Sequence, residues 1–173
     1  MGRSAIIFHG TGAEPEWIWY PWLAGRLRDR GYAVEVPHHP GINVEPIAEF
    51  LPKVLAAHRY DEDTVLVGHS GGAALLLAIL ERLDVVIPQA FLVAGYSTPP
   101  NAEEEPVLQD RYQWDAIRAH VRDPYFLNSV EDEFGCDADQ GRAMFDRLGG
   151  TLIVRNEGHF LGETLPLVDR LIP

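Results

Sequence analysis

Short apolar runs alternate with longer amphipathic segments along this chain of 173 residues. The runs are continuously apolar and rich in β-branched residues, which is typical of strands covered on both faces of a parallel sheet. They occur at Ser4–Phe8, Ala33–Val36, Thr64–Val67, Gln89–Val93 and Thr151–Val154, with a weaker run at Tyr125–Leu127. Because parallel neighbours need crossover connections of about a dozen residues, this alternation predicts an α/β fold with helices on the faces of the sheet.

The segments between the runs place apolar residues at helical spacing. In the first segment Trp19, Trp22, Leu23 and Leu27 fall on one helix face, and Gly31 follows as a stop signal. Such a tryptophan stripe is typical of a helix packed into the core. Further helices are expected over residues 47–55, 72–83, 137–148 and 167–172.

One stretch, Gly95–Pro124, interrupts this alternation. It contains the pair Pro99-Pro100, the acidic run Glu103–Glu105 and a short predicted helix around Trp114–His120. Long irregular connections in compact domains are either functional or simply exposed to solvent. The stretch is therefore either a small flap over a site or a solvated excursion, and the sequence leaves both interpretations open.

Length and charge narrow the class of protein. A chain of this length with 46% hydrophobic residues supports one compact core, so we predict a single domain over residues 1–173. The net charge of −12 would repel a phosphate backbone, which disfavours nucleic acid as a partner. No apolar run approaches the roughly 20 residues of a membrane span, so we expect a soluble, cytoplasmic protein. The sequence does not indicate an oligomeric state.

The numbers and spacing of cysteine and histidine residues do not indicate a disulfide or a metal site. The one cysteine, Cys136, cannot form an internal disulfide, and no cysteine and histidine cluster has zinc spacing. We therefore expect neither a metal nor a cofactor.

Residues 68–72 read Gly-His-Ser-Gly-Gly and match the G-x-S-x-G pattern of a nucleophile elbow. The match follows a predicted strand and opens the predicted helix 72–83, which is the setting that an elbow requires. Gly68 and Gly72 supply the clearance that a serine in so tight a turn needs. The N-terminus of the helix would direct N–H groups and partial positive charge towards an oxyanion beside Ser70. A glycine-rich turn without chemistry is the alternative, and the flanking elements favour the elbow.

A serine hydroxyl needs a histidine base and an acid that orients it. In this fold the acid and then the histidine follow the serine along the chain. His159 follows the last predicted strand, at the carboxyl edge where open α/β sheets build their sites. The loop after Tyr125–Leu127 offers Glu131, Asp132 and Glu133 as the acid, and position alone does not choose between them.

Further motifs extend over nearly the whole chain: Trp17, Trp19 and Trp22 near the start, Gln113-Trp114 in the middle and 158–160 (Gly-His-Phe) near the end. Together with the elbow, they make the chain resemble the small serine hydrolases of the YdeN and retinoblastoma-binding-protein-nine type. This group is a compact branch of the α/β-hydrolase superfamily. Its members carry the acid in a segment resembling Ser-x-x-Asp-x-Phe.

Residues 129–134 match that segment, so the resemblance implies Asp132 as the acid. Glu133 stands where relatives often have proline, which is a departure from the pattern. The resemblance also implies a minimal fold without a large cap domain. We expect a three-layer sandwich around a six-stranded parallel sheet in the order 2-1-3-4-5-6.

The oxyanion hole is expected to combine two backbone N–H groups. One belongs to Gly71, and the other to the loop after the first strand, residues 9–12. In many members of the superfamily this donor follows a His-Gly pair, so the resemblance implies Thr11. A dinucleotide-binding interpretation of Gly10 and Gly12 is rejected, because Pro15 occupies the position of the third glycine.

These residues predict a serine hydrolase that cleaves a carboxylic ester, or a related acyl bond, of a small substrate through an acyl-enzyme. Esterase is the first expectation, and thioesterase and peptidase stay open. Trp17 and Trp114 are candidates for an apolar acyl pocket. The alternative is a protein-interaction module that retains the scaffold without turnover. The presence of serine, acid and histidine in the expected order favours the enzyme.

Overall fold

The computed structural model describes residues 2–173 and contains one sheet of six parallel strands. The strands are β1 (Ser4–Phe8), β2 (Ala33–Glu35), β3 (Thr64–His69), β4 (Ile87–Val93), β5 (Val121–Ser129) and β6 (Thr151–Arg155). The helices are α1 (Tyr20–Asp29), α2 (Ile47–Ala57), α3 (Gly71–Arg82), α4 (Trp114–Ala119), α5 (Ala138–Leu148) and α6 (Pro166–Leu171). The spatial order of the strands is β2-β1-β3-β4-β5-β6, which confirms the predicted topology.

The helices form the two outer layers of a sandwich. α1 and α6 contact each other on one face of the sheet, while α2, α3, α4 and α5 lie side by side on the other. β3 is buried along its whole length, and ten consecutive residues of α3 are buried against it. This burial explains why the segment 72–83 is apolar nearly all round.

Local signals in the sequence determine where several helices begin and end. The Asp137 side chain accepts hydrogen bonds from the N–H groups of Asp139 and Gln140, so it caps the N-terminus of α5. Gly149 follows α5 with a φ of 68°, a conformation that glycine adopts without strain. Gly31 has a φ of 85° and follows α1 in the same way.

β5 is longer than the sequence predicts, since it begins at Val121 rather than at Tyr125. Residues 121–124 pair with β4 only, and pairing with β6 starts at Tyr125. Pro124 has no backbone N–H to donate, and this is tolerated because residues 121–124 pair with a strand on one side only. The predicted flap boundary at Pro124 is therefore wrong, because 121–124 belongs to the sheet.

The irregular part of that stretch is the connection 95–113 between β4 and α4. It is tied to the domain at several points: the Ile47 N–H donates to the Pro106 carbonyl, Asn101 Nδ2 to the Phe134 carbonyl, and Gln140 Nε2 to Thr98. None of the helices within residues 2–173 combines the length and apolar character that a membrane span requires.

Candidate active site

Ser70 occupies the sharp turn between β3 and α3, at the carboxyl edge of the sheet. Its φ of 55° and ψ of −117° lie in a region that non-glycine residues rarely adopt. A Cβ on Gly68 would lie 2.5 Å from the Gly72 carbonyl oxygen, and a Cβ on Gly72 would meet the Phe8 and His9 carbonyls. The turn therefore has the close backbone approach that the sequence pattern predicts.

Three predicted site residues meet in one hydrogen-bonded chain. The Nε2 atom of His159 lies 2.9 Å from Ser70 Oγ, and its Nδ1 atom lies 2.8 Å from Asp132 Oδ2. A carboxylate only accepts, so Nδ1 carries the proton and donates it to Asp132. Nε2 is then free to accept the Ser70 proton. The loops after β3, β5 and β6 supply these residues, because parallel strands end at the same edge.

Asp132 is the one of the three adjacent carboxyl residues that reaches the imidazole. Its side chain is fully buried, and its Oδ1 atom accepts the Phe134 N–H at 2.8 Å. Burial raises the pKa of Asp132, but the His159 hydrogen bond and charge and the Phe134 and Cys136 N–H groups outweigh it, so the pKa lies below its usual value. Glu131 is exposed, and Glu133 contacts the His159 backbone N–H rather than its ring.

Gly71 and Thr11 lie next to each other beside Ser70, as the oxyanion prediction requires. A Cβ on Gly71 would lie 3.4 Å from the Thr11 nitrogen. Neither N–H donates to any acceptor within residues 2–173, and Gly71 begins α3, where helix N–H groups have no partner in the preceding turn. Both donors are thus available to a ligand at Ser70.

A cavity of about 350 Å³ opens above Ser70 and His159. Its apolar wall includes Trp17, Phe134 and Leu161, all of them about half exposed. Trp114 lies elsewhere, in ring contact with Tyr112 at 5.1 Å between centroids, so its predicted place in an acyl pocket is wrong. Trp19 is fully buried in the core, as predicted.

Comparison with known proteins agrees with this geometry. The profile of the Alpha/beta hydrolase family matches residues 5–169. This chain is an α/β hydrolase. It is 30% identical to the hydrolase YdeN of Bacillus subtilis (strain 168), over 97% of this chain and 93% of YdeN. It is 26% identical to the serine hydrolase RBBP9 of Rattus norvegicus, over 91% of this chain and 87% of that protein.

The solved structures give the same result for the fold. The crystal structure of the YdeN gene product superposes with a TM-score of 0.86 at 22% identity, covering 98% of this chain and 96% of that one. The predicted resemblance to small serine hydrolases of this type is therefore confirmed. Family membership supports a hydrolase as the class of enzyme.

The hydrolase positions its His159 loop through hydrogen bonds that the sequence does not predict. His69 Nε2 lies 2.7 Å from the His159 carbonyl oxygen, and Trp19 Nε1 donates to the Phe160 carbonyl. Tyr20 Oη bonds His69 Nδ1 at 2.7 Å and accepts the Gly10 N–H. The loops after β1, β3 and β6 are therefore linked behind the site. The one hint of this linking role in the sequence is the position of His69 next to Ser70 in the elbow motif.

Cys136 also lies inside the site, against the Ser70 side chain and in the wall of the cavity. The possible metal-ligand atoms of Cys136, Asp132 and His159 lie within 4.8 Å of one another, so these three residues form a group that could hold a metal. Burial and the nearby Asp132 and Glu105 carboxylates raise the pKa of the Cys136 thiol. A metal requires the thiolate, so this environment favours the hydrogen-bonded chain over a metal centre.

Proposed function

We propose that this α/β hydrolase is an esterase that cleaves carboxylic esters of small substrates with Ser70 as its nucleophile. The observation that carries the proposal is the chain of hydrogen bonds from Ser70 through His159 to the buried Asp132. Its members have the roles of nucleophile, base and orienting acid. The Gly71 and Thr11 N–H groups are the proposed oxyanion donors.

The proposed reaction has two halves. His159 Nε2 takes the Ser70 proton as Oγ bonds to the ester carbonyl carbon, and the carbonyl oxygen becomes an oxyanion held by the Gly71 and Thr11 N–H groups. The tetrahedral intermediate collapses, the bond to the alcohol oxygen breaks, and His159 gives its proton to the leaving alcohol. Water then attacks the acyl-enzyme by the same route, which releases the carboxylic acid and restores Ser70.

The cavity supports a small substrate. Its volume of about 350 Å³ lies near the lower end of the range for small-molecule pockets, and its wall is largely apolar. The connection 95–113 contributes Tyr96 and Pro100 to this wall. Because that connection is hydrogen-bonded to α2, α5 and the Asp132 loop, we propose that it is a fixed wall rather than a moving flap.

Rapid mixing with 4-nitrophenyl acetate tests this function. We expect a burst of one equivalent of nitrophenol and an acetyl group on the peptide that contains Ser70, detected by mass spectrometry. Ser70→Ala abolishes both signals, whereas Ser97→Ala, a serine outside the cavity wall, retains them. Turnover that persists in Ser70→Ala would contradict the proposal. A folded native protein without turnover would instead favour an interaction module on this scaffold.

A further inference from the structure

The largely apolar wall of the cavity above Ser70 also contains two carboxylates. Glu105 is half-buried in the wall and Glu103 lies at its exposed rim, both from the connection 95–113. No lysine or arginine is among the lining residues. A substrate that enters this cavity therefore meets two carboxylates and, among the lining side chains of residues 2–173, no lysine or arginine.

The Glu105 carboxylate is held in place by two donors on one of its oxygens. Tyr96 Oη and Asn43 Nδ2 each donate to Glu105 Oε2 at 2.6 Å. Burial, together with Glu105, raises the pKa of Tyr96, so its hydroxyl stays a donor. The other oxygen, Oε1, accepts no hydrogen bond from residues 2–173. One acceptor of an immobilised carboxylate is thus left for a ligand.

This carboxylate lies close to the place where negative charge develops during the proposed reaction. The same Asn43 Nδ2 that bonds Glu105 also donates to Thr11 Oγ1 at 3.1 Å. Thr11 in turn lies against Gly71, the other proposed oxyanion donor. Glu105 is also near enough to the thiol of Cys136, beside Ser70, to raise its pKa. Glu105 therefore lines the same cavity as Ser70 and is linked to Thr11 through a single side chain, Asn43.

A fixed anion at this position has opposite effects on different substrates. With a neutral substrate it repels the developing oxyanion and raises the barrier, and it repels an anionic substrate even before reaction. A cation on the substrate removes this penalty and is attracted to the carboxylate in a partly desolvated cavity. The arrangement therefore favours cationic substrates over neutral and anionic ones.

We propose that Glu105 is a specificity-determining residue that selects esters carrying a cationic group, such as an ammonium group, for hydrolysis at Ser70. The inference rests on the esterase function proposed above. It adds the charge of the substrate, which neither the family nor the hydrogen-bonded chain at Ser70 determines.

Pairs of esters with the same shape and different charge test this selection. Acetylcholine and its carbon isostere 3,3-dimethylbutyl acetate place the cation on the alcohol side. The 4-nitrophenyl esters of 4-(trimethylammonio)butanoate and 5,5-dimethylhexanoate place it on the acyl side. For at least one pair, we expect kcat/KM of the native protein to favour the cation by about tenfold or more, which corresponds to one close charge interaction.

Two matched variants separate the local charge from the net charge. Glu105→Gln keeps an acceptor for Tyr96 and Asn43 while removing the negative charge, so we expect the ratio to fall to near one and kcat on the neutral ester to rise. Glu104→Gln removes the same charge from the adjacent exposed residue, which does not line the cavity, and we expect it to retain the native ratio. A ratio near one for both pairs in the native protein would overturn the proposal, as would a ratio that persists in Glu105→Gln.

A binding measurement separates failure of this inference from failure of the esterase function. In Ser70→Ala, calorimetric titration with the intact ester pairs reports recognition without turnover. If Ser70→Ala binds the cationic ester more tightly than the neutral one, and the double variant with Ser70→Ala and Glu105→Gln does not, the result supports the charge selection. This holds even if the protein is not an esterase. Equal binding of both esters by Ser70→Ala, together with turnover of neutral esters by the native protein, would leave the esterase standing and refute the role of Glu105.

Discussion

The chemistry at single residues depends on which protons the buried imidazoles hold. The His69 and His159 rings lie 5.1 Å apart between centroids. Burial and the neighbouring His159 lower the pKa of His69 to about 3, so it is neutral at physiological pH. Because a carbonyl only accepts, His69 Nε2 donates to the His159 carbonyl and Nδ1 accepts from Tyr20. One imidazole is thus fixed as a structural donor, which leaves His159 as the proposed acceptor of the serine proton.

Substitution of the orienting acid is the first prediction at this scale. Asp132→Asn preserves the shape of the residue but loses the carboxylate that fixes the His159 tautomer. By analogy with the worked serine-protease triad, we expect kcat for an acyl ester to fall by about 10⁴-fold. Steady-state kinetics at neutral pH, with circular dichroism to verify folding, measures the effect.

Two neighbouring carboxyl residues provide controls for that substitution. Asp123 lies within β5 and Glu133 contacts only the backbone of His159, so Asp123→Asn and Glu133→Gln should change kcat by less than about tenfold. A larger loss in either control than in Asp132→Asn would contradict the role of Asp132.

At the scale of elements, the strand–turn–helix unit of β3 and α3 determines the site. The elbow forms only where two backbone segments approach without a side chain between them, at Gly68 and Gly72. The buried α3 then places its free N–H groups beside Ser70. The same packing that stabilises the centre of the sheet therefore also positions the candidate nucleophile.

Two glycine substitutions separate the elbow from an ordinary helix. In Gly68→Ala the new methyl would lie 2.5 to 2.8 Å from backbone atoms of Gly72 and Ala73, so we expect a loss of stability of about 1–3 kcal/mol and a loss of turnover. Gly25 in α1 has open space around a Cβ, so Gly25→Ala should stabilise the protein by about 0.4–1 kcal/mol. Urea unfolding measures both. Equal effects of the two substitutions would contradict the proposed clearance.

The sequence predicts those elements best where the signal is local. The apolar run before Ser70 and the glycines around it specify β3, the turn and α3 directly. Residues 121–124 were not predicted as strand, because their polar residues and Pro124 are acceptable only when pairing is confined to β4. Glu105 was recognised only as part of an acidic run, since its partner Asn43 is 62 residues away in the chain.

At the scale of the whole molecule, the parallel sheet brings distant loops together at one edge. The loops after β1, β3, β5 and β6 carry the proposed oxyanion donors, nucleophile, acid and base. Their mutual arrangement depends on buried hydrogen bonds such as those of His69, so the integrity of the site is coupled to global stability. Neutral imidazoles in the interior make that stability depend on pH.

The pH dependence has a defined sign. The pKa of His69 is about 3 in the folded protein and that of His39, lowered by burial and then by its histidine neighbours, is about 4. An unfolded histidine has a pKa near 6.5. At a pH between the folded and the unfolded pKa, the unfolded chain binds protons that the folded protein does not. The contribution of these histidines to the free energy of unfolding is therefore fully present above about pH 6.5 and falls as the pH decreases. Each histidine contributes a slope of up to about 1.4 kcal/mol per pH unit.

Urea unfolding between pH 7 and pH 5 tests this coupling. We expect the free energy of unfolding to decrease with falling pH. We expect His69→Gln to reduce the slope of this free energy against pH by an amount that corresponds to the uptake of up to one proton on unfolding. His38→Gln, at an exposed histidine, should change the slope much less than His69→Gln does, because His38 is the weakest of the three histidine neighbours that lower the pKa of His39. A free energy of unfolding that is constant over this range would refute the account of His69.

We propose that Ser70 is a nucleophile activated by His159, and labelling with a fluorophosphonate probe tests this role most directly because no substrate has to be known. We predict one probe adduct per native molecule, on the peptide that contains Ser70, and no adduct in folded Ser70→Ala or His159→Ala. His38→Ala should be labelled like the native protein. Absence of labelling in the folded native protein, or a label that persists in Ser70→Ala, would contradict the account.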